Sequence, residues 1–154
     1  MAVDISFQTN SKLLSKKISR YFKSIPNITS KGLKQSAFLL KELILERTKK
    51  GKGLFGRFPP YSESYLEHLK DIGAPLIVDL RLTGDMLGSI QTKLINKRKA
   101  QIYFSRKTEE EKALHITRDQ NRAFFGFQRP KEERFIQRQF IRYVEGQLKR
   151  KRPR

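Results

Sequence analysis

Apolar positions along the first fifty residues recur at helical spacing. Leu14, Ile18, Phe22 and Ile25 fall on one stripe, with Lys12, Lys16, Lys17 and Lys23 largely outside it, which predicts an amphipathic helix over residues 11–25. Pro26 should end that helix, because proline cannot donate the next helical hydrogen bond. Thr29 or Ser30 then serves as cap for a second helix reaching about Lys49. Its inner stripe is Leu33, Ala37, Leu40 and Ile44, widened by Phe38, Leu39, Leu43 and Leu45. It is the most apolar helix of the chain and is expected to be the most buried. A helix lying on a membrane would show a similar stripe, but this one has sheet partners in the same chain, which favours a core.

The period changes from helical to two within residues 78–104, around which the other segments are arranged. Residues 82–90 read as a strand end, a tight turn and one short helical turn. Ile90, Thr92 and Leu94 then alternate with Gln91, Lys93 and Ile95, and Ala100, Ile102 and Phe104 alternate with Gln101 and Tyr103. Asn96 to Lys99 between the runs suits a turn that opens with Asn. A short helix is expected over residues 62–71, with Gly73 and Pro75 past its end. Glu109, Glu110 and Glu111 mark the start of another helix, and Pro130 the first position of a final one whose face carries Ile136, Phe140, Val144 and Leu148. Residues 122–127, with Phe124, Phe125 and Phe127, read as a last strand. The predicted class is α+β: a mostly antiparallel sheet from the hairpin at about 90–104 and the strand at about 122–127, packed against a long helix at about 30–49, with N- and C-terminal helices. Residues 1–148 form one domain in this reading, and residues 149–154 a basic, fraying tail.

Charge narrows the range of partners. Among 154 residues, 34 are Lys or Arg and 15 are Asp or Glu, a net charge of +19. Such a charge repels itself unless something acidic sits nearby: nucleic acid, an acidic protein surface or an anionic membrane. With no cysteine, there is no disulfide framework and no thiolate metal site. No run approaches the roughly 20 apolar residues of a membrane span. The first ten residues lack the charged-then-apolar pattern of a secretion signal.

Candidate chemistry is sparse. His68 and His115 each lack a second histidine nearby, so packing or surface roles suit them better than metal ligation. Asp79 and Asp85 could pair, yet Asp85 after Thr83-Gly84 fits a helix start. No serine sits in a G-x-S-x-G elbow. Gly51, Gly56 and Arg57 loosely imitate a phosphate-binding loop, but Arg57 replaces its lysine, Phe58 its Ser/Thr, and a helix precedes it in place of a strand. No acid, base and nucleophile assemble, and no cofactor is expected. The stretch 51–58 reads instead as a mobile loop that orders against a partner, because Leu54, Phe55 and Phe58 are apolar residues among glycines.

Three groups of residues resemble, in order and spacing, the virion-morphogenesis proteins of long-tailed bacteriophages, the tail-completion or neck family. The first is Arg47-Thr48, a glycine loop, then Phe58-x-Pro60-Tyr61-Ser62 and Tyr65. The second is Leu80-x-Leu82-Thr83-Gly84-x-Met86-Leu87-x-Ser89-Ile90. The third is Lys112-Ala113-x-His115 followed by Arg122-x-Phe124-Phe125-Gly126. The likeness covers about residues 33–148. One departure is that residues 116–121 carry no glycine, where the family usually has one shortly after the histidine.

The resemblance implies a non-enzymatic α+β subunit of a ring, six-fold by likeness, placed where the tail tube meets the head connector or capping the completed tail. Its partners would be copies of itself, the connector or head-closure protein, and the tail-tube or tail-terminator protein. It would reside in the virion neck or tail, and in the host cytoplasm during assembly, with no membrane contact. Leu54, Phe55, Phe58, Phe124, Phe125 and Phe127 are then the expected subunit contacts. Lys149, Arg150, Lys151, Arg152 and Arg154 are expected to meet an acidic neighbouring ring, with DNA second. The alternative reading is a basic nucleic-acid-binding protein, supported by the charge. Against it, cations are spread along every segment and residues 124–127 lack the rest of an RNA-recognition motif.

Overall fold

A computed structural model describes residues 11–80 and 84–152, and the side chains from Ser15 onward. Leu82, Thr83, Arg154 and the side chains of Lys12 and Leu14 lie outside that description. The class is α+β. Its elements are α1 (Ser11–Lys49), α2 (Glu63–Asp71), α3 (Asp85–Gly88), β1 (Ile90–Asn96), β2 (Lys99–Phe104), α4 (Lys107–Asp119) and α5 (Lys131–Lys151).

Pro26 does not end a helix. It lies inside α1, a single helix of 39 residues, about 58 Å long at 1.5 Å per residue. The proline leaves the Phe22 carbonyl without its helical donor. Hydroxyls work on the carbonyls either side. Ser24 donates to the Tyr21 carbonyl at 2.7 Å, and Thr29 donates to those of Ile25 and Pro26 at 3.1 and 3.0 Å. Thr29 therefore bonds backward within a helix instead of capping one. Just past the proline, Ile28 is buried, and Gly32 lets α5 approach: a Cβ there would stand 2.9 Å from the Phe140 ring. Packing on α5 and the hairpin carries the helix across its proline.

The hairpin is where the period-two pattern placed it. β1 and β2 pair antiparallel, Ile90 opposite Phe104 and Thr92 opposite Ile102, with an irregularity between Leu94 and Asn96. The Asn96 side chain accepts from the Arg98 N–H at 2.8 Å and shapes the turn. One face of the hairpin lies on α1, and its burial fades toward the turn. The core joins Leu40 and Ile44 of α1 to Met86, Leu87 and Ile90, with Ala113 from α4 and Ile136 from α5.

Residues 122–127 are not a strand. The sheet has two strands only among the described residues. The backbone bends at Asn121 (φ 50°) and Gly126 (φ 137°), and its carbonyls are taken by partners other than a ladder. Arg47 Nη2 binds the Phe124 and Gly126 carbonyls at 2.6 and 3.1 Å, and the Leu54 N–H binds that of Ala123 at 2.8 Å. A buried guanidinium does here what a neighbouring strand would do. The basic end also departs from expectation: Lys149 to Lys151 form the last turn of α5, and Arg152 follows it.

Candidate functional site

The stretch 51–58 is a tight, hydrogen-bonded turn. Lys52 bridges Arg57 antiparallel, the Gly53 N–H donates to Gly56 at 2.7 Å and the Phe58 N–H to Gly51 at 2.9 Å. The Lys52 N–H donates to the Arg47 carbonyl at 3.1 Å, which fixes the turn to the C-terminal end of α1. Gly53 is required by contact: a Cβ there would lie 2.3 Å from the Ala123 carbonyl oxygen.

These bonds divide the predicted contact residues. Phe58 and Phe124 are 9% and 0% exposed and belong to the core, so neither can meet a partner. Phe125 and Phe127 are half-buried, and the Phe125 ring packs on Phe104 at 4.9 Å between centroids. Leu54 is half-buried beside Gly126. Phe55 stands at the tip of the turn, 92% exposed. It is the most exposed of the six. Lys149, Arg150, Lys151 and Arg152 are all exposed.

Sequence reasoning missed the polar frame that holds the site. Arg47 is buried with its guanidinium on the Glu132 carboxylate, and Glu132 also accepts from the Gln128 N–H at 2.7 Å. The pair ties the end of α1 to the start of α5 across residues 124–128. Arg122, equally buried, acts in the same way beside an open cleft. It donates to the Pro59 and Pro60 carbonyls at 3.3 and 3.0 Å and to the Gln120 side chain, and it lies over the Tyr61 ring at 4.8 Å. Tyr61, Tyr65, Leu80, Arg122 and the two prolines line an open cleft of about 600 Å³. Burial pushes the Tyr61 phenol above its ordinary range; nearby Tyr65 adds to this, and Arg122 pulls the other way. The Ser62 hydroxyl caps α2, accepting from the Tyr65 N–H at 3.4 Å. The cleft therefore offers a neutral aromatic wall and a guanidinium already engaged, not a nucleophile with a base.

The signal for this frame was present as Arg47-Thr48, the Pro-Pro-Tyr-Ser run and Arg122, which look unrelated in sequence. In space they interlock, since Arg47 holds the residues after Phe124 and Arg122 holds those before Tyr61. His68 is exposed next to the Tyr65 ring, and exposed His115 contacts Asp119 one turn away. Asp85 begins α3 and binds Arg106 at 3.1 Å. Among the described residues no group of three or more His, Cys, Asp or Glu could hold a metal, and no helix is long and apolar enough to cross a membrane.

The chain was compared with family models, with curated proteins and with solved structures, and none gave a significant match.

Proposed function

We propose that the chain is a structural subunit of a tailed-bacteriophage virion, a ring-forming neck or tail-completion protein that joins the head connector to the tail tube and performs no catalysis. The three resembling residue groups support this reading, and one observation of the structure carries it. Among the exposed apolar side chains, two features stand well apart along α1. Phe55 projects from the turn at the C-terminal end, and Phe22, 62% exposed, continues with Ile18 the stripe of the N-terminal half. About 38 Å of helix separates Phe22 from Arg47, beside which the turn is fixed. Two unlike apolar surfaces set well apart are what a head-to-tail contact between identical subunits needs, and such a contact closes into a ring when its rotation allows.

Native mass spectrometry of the purified protein, alone and with virion components, tests the reading. A discrete homo-oligomer, or incorporation into a connector or tail complex without nucleic acid, is expected. A chain that stays monomeric and joins no virion component would overturn it.

A further inference from the structure

Cations are spread along the whole sequence, but acids are not. No Asp or Glu occurs between Ser11 and Lys41, and none between Met86 and Thr108. These two stretches meet in space, because the Ser30 hydroxyl donates to the Lys97 carbonyl at 3.2 Å and seats the hairpin turn on the middle of α1. Apart from Asp4 and Glu145, every carboxylate side chain falls within residues 42–85 or 109–133. Those residues make the C-terminal end of α1, α2, α3, α4 and the first turn of α5.

The acid-free part of α1 is ordered as well as basic. Lys16, Arg20, Lys23, Lys31, Lys34 and Lys41 fall within roughly 80° of the helix circumference at 3.6 residues per turn, away from the face that buries Leu40 and Ile44. All but the half-buried Lys41 are exposed. Lys97, Arg98 and Lys99, also exposed, flank this ridge on the hairpin side. On the other side Arg142 of α5 shares a groove with Gly32, Gln35 and Phe38.

We infer that this ridge is a docking surface for the phosphate backbone of duplex DNA. From Lys16 to Lys34 it runs about 27 Å along α1, the length of about eight base pairs. Between Ser11 and Lys41 lysine outnumbers arginine seven to one. Lysine is depleted from protein–protein interfaces, while as a point charge it suits phosphate. An acidic protein surface would select for cations in register with its own carboxylates. The ridge holds two clusters of cations, Lys16 to Lys23 and Lys31 to Lys34, about 12 Å apart along the helix with no carboxylate between them, a pattern that suits a continuous polyanion. A single strand needs a row of rings to stack on, and the ridge offers one, Phe38. The contact positions the duplex and reads no sequence. It rests on the charge geometry alone and stands or falls independently of the ring.

The test is fluorescence anisotropy of the full chain with a duplex of about 20 base pairs across a salt series. One variant combines Lys16→Gln, Arg20→Gln, Lys23→Gln and Lys34→Gln. A control removes the same charge elsewhere: Lys49→Gln, Lys52→Gln, Lys70→Gln and Arg118→Gln. The ridge variant should lose at least about tenfold more affinity than the control, and its slope of log affinity against log salt should fall by about 3.6, near 0.9 per phosphate contact. Equal losses in both variants would show diffuse net charge and no ridge. On the wild type, charge-matched polyglutamate should compete poorly with the duplex. Equal competition, or no DNA binding at physiological salt, would overturn the proposal and leave an acidic protein as the occupant.

Discussion

Arg47 ends α1 with its charge turned inward, and its partners come from far along the chain: Glu132 and the carbonyls of Phe124 and Gly126. Removing one member of such a buried pair strands the other, which typically costs about 3–5 kcal/mol, although the pair itself adds little against an apolar replacement. Arg47→Met should therefore lower stability by roughly that amount in urea denaturation. Arg47→Met with Glu132→Leu should recover some of the loss. A single variant as stable as the wild type would mean the frame is not structural. Tyr61 gives a second handle. Its folded phenol is raised above the ordinary value of 10.0, mainly by burial, so the folded state holds this proton more tightly than the unfolded chain. Its contribution is complete below about pH 10 and is lost as pH rises from there toward the raised folded value. Stability measured between pH 9 and 11 should fall with a component that Tyr61→Phe removes. An unchanged alkaline limb in that variant would assign the loss to other groups.

At the level of elements, periodicity was legible where packing is one-sided and local. The hairpin, α2, α4 and α5 follow from their apolar spacing and from Asn96, Ser62 and Pro130 at their ends. Two elements were not legible, for different reasons. Pro26 carries a local penalty of about 3 kcal/mol against a helix, and the packing that outweighs it includes buried Ile28 and the close approach of Gly32 to Phe140 of α5, more than a hundred positions away. Residues 122–127 have a strand's composition, but Arg47 supplies the donors that pairing would have supplied. The contact surface suffered likewise. Leu54, Phe55 and Phe58 look alike in sequence, and only the turn's hydrogen bonds decide that Phe58 points in and Phe55 out. The long helix remains the centre of the core through Leu40 and Ile44, but Phe38, expected to widen its inner stripe, faces outward and is 56% exposed. Ile44, almost wholly buried, should cost roughly 2–5 kcal/mol when cut to alanine, as read from the urea midpoint at constant m-value. A loss below about 1 kcal/mol would place the core elsewhere.

Across the whole molecule, the same helix presents three kinds of surface. Its inner face closes the core, its outer face carries the basic ridge, and apolar features stand at Phe22 in its N-terminal half and at Phe55 on the turn past its C-terminal end. A head-to-tail contact that seats Phe55 of one copy on the Ile18–Phe22 stripe of the next makes a sharp prediction, because each copy brings one half of it. Phe55→Asp removes the knob and keeps the stripe. Phe22→Asp keeps the knob and spoils the stripe. Both side chains are exposed, so both variants should fold with a thermal midpoint near that of the wild type. Each alone should be monomeric under conditions in which the wild type assembles. Mixed, they share one intact contact, the knob of the Phe22→Asp chain on the stripe of the Phe55→Asp chain, and growth must stop there. Analytical ultracentrifugation of the equimolar mixture should therefore show dimers and nothing larger. Monomers in the mixture would mean that these two surfaces do not meet each other. Larger oligomers from either variant alone would remove Phe22 and Phe55 from the contact altogether.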